Sequence, residues 1–195
     1  MAIIGITGSI GSGKTSVAKL FSRHRYSRID ADEISHEILK SNKNVKKILM
    51  KNFGSEILGK NNEIGRKKLG DIVFSSDKKL KKLNLVMHLI IIQEIKNKIK
   101  KIRQECGSKA KIIIDAPLLL ETSAKNLVDR VIVVKCSKKN ILRINKKFSK
   151  HQIEKILNAQ MPLNEKLKYA DFVIDNSKDL NHLKKQVEKI IEELK

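Results

Sequence analysis

Residues 2–23, AIIGITGSIGSGKTSVAKLFSR, decide the fold of this 195-residue chain. Ala2–Thr7 is a short apolar segment that predicts a β-strand, and Gly8–Thr15 (GSIGSGKT) satisfies the pattern GxxxxGK[ST]. Apolar residues then recur at helical spacing over Lys14–Arg23, which predicts a helix. A strand, a glycine-rich turn and a helix in this order are the structural setting of a phosphate-binding loop.

The residue types in this loop suit the binding of a nucleotide phosphate. Glycine has no Cβ, so backbone N–H groups can close around phosphate oxygens, and the positive end of the following helix points at the same anion. We expect Lys14 to reach the outer phosphates and the Thr15 hydroxyl to bind Mg²⁺. The loop does not define the reaction, but the short chain favours a small kinase over a large motor ATPase.

Four more short apolar segments follow, and each predicts a further strand. They are Ser27–Ala31, Lys111–Asp115, Asp129–Lys135 and Asp171–Asp175. Helical patterns separate them, and an amphipathic helix over residues 180–194 closes the chain. Continuously apolar strands that alternate with helices are typical of a parallel sheet covered on both faces. We therefore predict an α/β fold of the P-loop NTPase type, with three layers (α/β/α) and a five-stranded parallel sheet.

The segment between Asp32 and Gly107 has a helical pattern and is too long for a simple crossover between two strands. Its longest part, Asp77–Gln104, carries apolar residues at three- and four-residue steps. It therefore predicts a helical subdomain inserted after the second strand. We predict one kinase domain with a core (1–32, 108–137 and 163–195), a helical acceptor-binding insertion (33–107) and a lid (138–162).

Composition narrows the function classes further. The chain has 42 Lys+Arg against 21 Asp+Glu, a formal net charge of +21, which taken alone suggests a polyanionic partner. Only seven of the basic residues are arginine, however, and the lysines are spread along the whole chain with few aromatic residues among them. Binding of nucleic acid is therefore not the favoured interpretation, and we interpret the charge as a solvated surface that also attracts anionic substrates.

The sequence lacks the features of membrane and secreted proteins. No apolar run approaches the ~18 residues of a membrane-spanning helix, and the first seven residues lack the basic start of a signal peptide. Cys106 and Cys136 show no metal-binding spacing and predict free thiols in a reducing compartment. We expect a cytoplasmic protein without a membrane partner, either a monomer or a weak homo-oligomer.

Acidic residues follow two of the predicted strands, where the ligand crevice of a parallel sheet lies. Asp32 could activate an acceptor hydroxyl in phosphoryl transfer, or it could cap the helix that begins at Glu33. Asp115 could approach Mg²⁺ or its waters, or it could be a strand-end acid without that role. In the predicted lid, Arg143 could grip phosphates bidentately or lie solvated on a helix face.

Taken in order, these segments resemble the dephospho-CoA kinase family over essentially the whole chain. The resemblance rests on 6–14 (ITGSIGSGK), 29–32 (IDAD), 66–69 (RKKL) with 72–74 (IVF), 83–88 (LNLVMH), 115–121 (DAPLLLE), the Arg143 segment, Gln160 and 170–176 (ADFVIDN). The sequence differs from the family pattern in several places. Leu89 stands where proline is usual, Lys147 stands where the lid has a second arginine, and Leu120 stands where phenylalanine is common. The lid between Lys147 and Gln160 is also about two residues shorter than in the family.

The resemblance implies that ATP phosphorylates the 3′-hydroxyl of the ribose in dephospho-CoA, with Mg²⁺ as cofactor. It implies that ATP binds Gly8, Gly11, Ser12, Gly13, Lys14, Thr15, Ser16, Arg143 and Asn176, the last near the adenine. The residues implied to contact dephospho-CoA are Asp32, Arg66, His88, Pro117, Leu118 and Glu121. The implied ligands of the metal are Thr15 and Asp115. The implied catalytic residues are Asp32, Lys14 and Arg143. A nucleoside or nucleotide kinase of the same architecture is the alternative, and a basic nucleic-acid-binding P-loop ATPase is a more distant one.

Overall fold

Five strands form one sheet in the computed structural model, which describes residues 2–59, 62–137 and 150–194. The strands are β1 (Ile3–Gly8), β2 (Ser27–Asp30), β3 (Ile112–Asp115), β4 (Arg130–Lys135) and β5 (Phe172–Asp175). They lie in the order β2-β3-β1-β4-β5, and each neighbouring pair is parallel. The predicted α/β fold with a five-stranded parallel sheet is confirmed.

Helices alternate with the strands along the sequence. They are α1 (Lys14–Ser22), α2 (Ala31–Ser41), α3 (Lys43–Phe53), α4 (Arg66–Val73), α5 (Asp77–Cys106), α6 (Lys150–Ala159), α7 (Leu163–Leu167) and α8 (Leu180–Glu193), with 3₁₀ helices at Ser55–Ile57 and Ser123–Leu127. The predicted long helix continues two residues past Gln104, and it is unbroken at Leu89. No helix in the described part of the chain combines the length and apolarity needed to cross a membrane.

The chain divides into two compact units. The larger comprises Met1–Asp30 and Lys96–Lys195 and contains the whole sheet, whereas the smaller comprises Ala31–Ile95 and is helical. The finer division into core, insertion and lid stays a prediction, because much of the predicted lid (138–149) lies outside the described residues.

Apolar side chains pack on both faces of the sheet in the larger unit. β1 is buried along its whole length, and α1 and α8 pack against each other on one face. On the other face, Leu119 and Val128 lie so close to Gly5 that a side chain at Gly5 would collide with them. The main cluster comprises Ile4, Ile6, Val17, Ala18, Leu20, Phe21, Tyr26, Ile113, Ile132, Val134, Ile174, Leu183, Val187, Ile190 and Ile191. Burial of both faces explains why the strands read as continuous apolar runs.

The smaller unit has its own apolar core. α2 packs on α3, and both α3 and α4 contact the 3₁₀ turn at Ser55–Ile57. Asn42 fixes the start of α3, because its side-chain oxygen accepts hydrogen bonds from the N–H groups of Asn44 (3.1 Å) and Val45 (3.0 Å). The buried residues of these elements are Ile34, Ile38, Val45, Leu49, Phe53, Ile57, Leu69 and Val73.

Replacement of Phe21 by alanine is expected to destabilise the larger unit. Phe21 is fully buried, and its ring meets the edge of the Tyr26 ring with 5.2 Å between the centroids. Removal of a buried aromatic side chain leaves a cavity and costs about 3–5 kcal/mol of unfolding free energy. Urea unfolding measures this loss. Leu180 of α8 is 56% exposed, so Leu180→Ala is the control and should cost less than about 1 kcal/mol. Equal losses in the two variants would contradict the assignment of Phe21 to the core.

Candidate active site

The phosphate-binding loop joins the C-terminal end of β1 to the start of α1. β1 ends at Gly8, and α1 begins at Lys14. The first helical hydrogen bonds run from the N–H groups of Ser16 (3.0 Å) and Val17 (3.2 Å) to the carbonyl oxygen of Gly13. The amides before them belong to the positive end of the helix, where anions bind. The predicted loop therefore has the local structure that phosphate binding requires.

Two glycines allow the chain to follow this path. Gly13 has a left-handed backbone (φ 92°), and a Cβ there would collide with the side-chain amide of Asn176. A Cβ on Gly8 would collide with the carbonyl oxygen of Val134 in β4. Asn176 also donates a hydrogen bond from Nδ2 to the carbonyl oxygen of Ser12 (2.9 Å). The loop is thus held against its neighbours at positions where only glycine fits.

Lys14 folds back over the loop. Its Nζ donates to the carbonyl oxygens of Gly8 (3.2 Å) and Ser9 (3.0 Å), and the residue is only 8% exposed. The loop also contains Ser12, whose buried Oγ has no hydrogen-bond partner among the described residues. A buried hydroxyl of this kind needs a partner, and a phosphate oxygen would supply one. These side chains fit an anionic ligand.

A second group of polar side chains lies at the C-terminal ends of β2 and β3. The Thr15 hydroxyl donates to Oδ2 of Asp115 (3.0 Å), and Asp115 is buried. Nη2 of Arg28 lies 3.4 Å from the same carboxylate oxygen and also forms an ion pair with Asp30. Two acidic side chains and one basic side chain therefore surround the start of α1.

Thr15 and Asp115 fit a Mg²⁺ ion that is bound together with phosphate oxygens. Both side chains offer oxygen ligands, and Mg²⁺ uses only one or two protein groups when a nucleotide completes its coordination. Within residues 2–59, 62–137 and 150–194, no group of three or more His, Cys, Asp or Glu side chains could hold a metal. The donor set suits a metal–nucleotide complex better than a metal held by protein groups alone.

The segment that follows α6 is connected to the loop. Gln160 accepts a hydrogen bond at Oε1 from the N–H of Ile10 (3.3 Å). The next residue, Met161, donates its N–H to Oε1 of Glu121 (2.9 Å). The end of α6 is therefore fixed both to the phosphate-binding loop and to the chain after β3.

Lys166 of α7 is fully buried beside these contacts. Its Nζ donates to the carbonyl oxygen of Pro117 (2.7 Å), and it lies 2.9 Å from Oε1 of Glu121 and 3.4 Å from Oγ1 of Thr7. Burial lowers the pKa of the Lys166 ammonium group, and the hydrogen bond and charge of Glu121 oppose that shift. The acceptors offset part of the cost of desolvating the charge.

Asp32, Arg66 and His88 belong to the smaller unit. Asp32 is exposed in the first turn of α2, which begins at Ala31. Arg66 is the first residue of α4, and His88 is half-buried in α5. A cleft of about 290 Å³ is lined by His36, Leu39, Lys40, Glu63, Ile64 and Arg66.

In the larger unit, several predicted site residues come together. The Thr15 hydroxyl is hydrogen-bonded to Asp115. Asn176, which was predicted to lie near the adenine, is hydrogen-bonded to the Ser12 carbonyl oxygen in the loop, and the sequence did not predict this contact. Pro117 and Glu121 share Lys166, and the carbonyl oxygen of Leu118 accepts a hydrogen bond from the Thr122 hydroxyl (3.0 Å). The predicted Arg143 and the noted Lys147 lie outside the described residues.

Two residues of the site, Arg28 and Lys166, were not predicted from the sequence. For each of them, the local sequence pattern contains a feature that pointed to the residue. Arg28 and Asp30 flank the buried Ile29 in β2, and alternate residues of a strand face the same side. Lys166 lies three residues after Leu163 in a short helix, on the side where an apolar residue is expected. Neither signal identifies the distant partners.

Comparison with known proteins gives consistent matches. A sequence profile of the dephospho-CoA kinase family matches residues 2–182. A dephospho-CoA kinase of Aquifex aeolicus is 38% identical over 199 residues, which cover 100% of this chain and 98% of that protein. One of Bdellovibrio bacteriovorus is 37% identical over 201 residues, with 100% and 98% covered. The structure of dephospho-CoA kinase from Campylobacter jejuni aligns with a TM-score of 0.70 and 30% identity, over 98% of this chain and 96% of that one.

The stability of the wild type relative to Lys166→Met is expected to rise as the pH approaches 10.5. Lysine has its ordinary pKa of 10.5 in the unfolded chain, and burial lowers the pKa of Lys166 in the folded protein. Between the folded pKa and 10.5 the unfolded state binds more protons, so a rise in pH favours the folded state. Below the folded pKa the penalty for burying the charge is complete.

Urea unfolding of both proteins across this pH range measures the difference. Lys168→Met is the control, because Lys168 is 67% exposed and pairs with Glu165 at 2.9 Å. The measured quantity is the free energy of unfolding of the wild type minus that of Lys166→Met. If this difference stayed constant or decreased as the pH rises, the lowered pKa of Lys166 would be contradicted.

Proposed function

This chain belongs to the dephospho-CoA kinase family, and from that premise we propose how its residues bind ATP and dephospho-CoA and transfer the phosphoryl group. The chain is an ATP-dependent kinase. Its reaction is the phosphorylation of the 3′-hydroxyl of dephospho-CoA to give coenzyme A and ADP, the last step of coenzyme A synthesis. The observation that carries this conclusion is the similarity to the family over the full length of the chain.

ATP binds at the loop between β1 and α1 in this proposal. Its contacts are Gly8, Gly11, Ser12, Gly13, Lys14, Thr15 and Ser16, with Asn176 beside them. The position of Lys14 over the loop and the buried Oγ of Ser12 support this assignment. The loop amides and the Lys14 ammonium group stabilise the charge that develops on the transferred phosphoryl group.

Thr15 and Asp115 would hold the Mg²⁺ ion that accompanies ATP. When bound, the ion would offset negative charge on the phosphates. The hydrogen bond of 3.0 Å between the two side chains supports the pairing. Arg28 lies 3.4 Å from the Asp115 carboxylate and restricts its orientation.

Asp32 orients the acceptor hydroxyl and accepts its proton. Two features support this role. The side chain is exposed, and it lies in the first turn of α2, directly after β2. A carboxylate can take a proton during transfer to a hydroxyl.

Dephospho-CoA makes its other contacts through Arg66, His88, Pro117, Leu118 and Glu121. The cleft beside Arg66 is also lined by Lys40, His36 and the acidic Glu63. The guanidinium group of Arg66 can bind the anionic diphosphate of this substrate through two hydrogen bonds. Glu121 is included by similarity alone, because its Oε1 is already bonded to Met161 and paired with Lys166.

The remaining parts of the proposal rest on the family similarity. Arg143 contacts phosphates from the lid. The domain consists of the predicted core, acceptor insertion and lid. The protein works in the cytoplasm as a monomer or weak homo-oligomer, and it does not use nucleic acid as a partner despite its charge of +21.

The choice of acceptor tests this function most directly. ADP release is measured with ATP, Mg²⁺ and one acceptor at a time: dephospho-CoA, adenosine, AMP, uridine or CMP. We expect strong turnover with dephospho-CoA alone, because the chain is similar to dephospho-CoA kinases over its full length. Turnover with only a nucleoside or nucleotide would keep the fold and reject the substrate. Binding of ATP with no turnover on any acceptor would favour a nucleotide-dependent binding protein.

Asp32→Asn should lower kcat by about 10²–10⁴-fold while ATP binding is retained. The amide has the shape of the carboxylate but cannot accept the proton of the acceptor hydroxyl. Steady-state kinetics and calorimetric titration with ATP measure the two effects. The matched control is Glu33→Gln, which removes the neighbouring exposed carboxylate in the same turn of α2. Near-normal turnover in Asp32→Asn would reject its role as the base.

A further inference from the structure

Lys166 occupies an environment that is unusual for lysine. Its side chain is fully buried, and its ammonium group meets acceptors from two segments that are distant in sequence. Pro117 and Glu121 belong to the chain after β3, and Thr7 is the next-to-last residue of β1. Thr7 also donates its own hydroxyl to the Pro117 carbonyl oxygen (3.1 Å). One cation therefore closes a network between two neighbouring strand ends.

Those strand ends carry the groups that bind phosphate and metal in the proposed function. Thr7 directly precedes Gly8, the first residue of the phosphate-binding loop. Pro117 lies just after Asp115, whose carboxylate meets Thr15. Thr7 and Pro117 are therefore one and two residues away, along the backbone, from groups that the proposed function uses.

The same network reaches the segment after α6. Glu121 pairs with Lys166 and accepts the N–H of Met161 through a single oxygen, Oε1. The residue before Met161 is Gln160, which accepts the N–H of Ile10 within the loop. The loop is thus connected to Lys166 by two routes, one through Thr7 and one through Glu121.

Packing alone does not require a charge at position 166. Methionine has a similar length and would fill the space without the cost of desolvating an ammonium group. Lysine supplies donors that can engage several acceptors together, which methionine cannot do. The arrangement of Thr7, Pro117 and Glu121 around Nζ uses this property of lysine.

We propose that Lys166 is a positioning residue for phosphoryl transfer, which holds the phosphate-binding loop, Asp115 and the segment after α6 in one fixed arrangement. The expected effect of Lys166 on turnover rests on the proposed function. The reacting groups must be aligned closely in the transition state, so a small shift of the loop relative to Asp115 lowers turnover more than it weakens substrate binding.

The test compares Lys166→Met with Lys168→Met in the full chain. Lys168 lies two residues further on, is 67% exposed and pairs with Glu165, so it controls for the loss of a lysine and of an ion pair. The measurements are kcat and KM for ATP and dephospho-CoA, expressed per folded molecule as counted by titration with a non-hydrolysable ATP analogue. Hydrogen–deuterium exchange of the amides in residues 8–16 reports on the loop itself.

We expect kcat of Lys166→Met to fall by about 10- to 100-fold, with KM for dephospho-CoA within about twofold of the wild type. Amide exchange in residues 8–16 should become faster, and Lys168→Met should match the wild type in all measurements. A kcat per folded molecule within about twofold of the wild type would reduce Lys166 to a structural role and overturn the proposal. Unchanged exchange in the loop would overturn it as well.

Thr7→Val decides the question if Lys166→Met does not fold. Valine keeps the β-branched shape in β1 and removes only the hydroxyl that joins Lys166 and Pro117. Thr7→Val should also lower kcat, but by a smaller factor than Lys166→Met. If the kcat of Thr7→Val equalled that of the wild type, the proposal would be overturned. A wild type that does not phosphorylate dephospho-CoA would instead reject the proposed function, and the exchange comparison would still test Lys166.

Discussion

Parallel pairing of β1 with β3 on one side and β4 on the other is the constraint on which the site depends. The register places Ile6 opposite Asp115 and Gly8 opposite Val134, so three strands end at the same edge of the sheet. The loop after Gly8 therefore starts between the ends of β3 and β4. The first turn of α1 then places Thr15 within hydrogen-bond distance of the Asp115 carboxylate. The start of the loop lies so close to β4 that the Val134 carbonyl leaves no room for a side chain at Gly8.

Polarity inside the larger unit is concentrated at this edge. The buried polar and charged residues of the described chain are Thr7, Ser12, Lys14, Asp115 and Lys166. All of them belong to the loop or to the side chains in contact with it, whereas the other buried residues are apolar. Burial of polar groups is costly unless hydrogen bonds compensate for it. Among the described residues, that cost is confined to the phosphate-binding loop and the side chains around it.

Local patterns were sufficient to predict the sheet and the loop, because a buried parallel strand and the GxxxxGK[ST] turn are each encoded in a few consecutive residues. The sequence predicted that α2 begins at Glu33, whereas the helix begins two residues earlier, at Ala31, directly after β2. The partners of Lys166 could not be predicted. Thr7 lies 159 positions away in sequence, and only the completed fold brings the two side chains together. The same holds for Arg28, whose contact with Asp115 depends on the pairing of β2 with β3.

The strand order also governs how the chain can fold as it is synthesised. The first two strands do not pair with each other, and both use β3 as a neighbour. β1 and β2 therefore leave the ribosome without a partner and wait while the whole helical segment 31–95 is made, several seconds at about 5–20 residues per second. That segment is contiguous and can complete its own core first. The apolar IIGITG strand, central in the finished sheet, is thus the part of the nascent chain that most needs protection from aggregation.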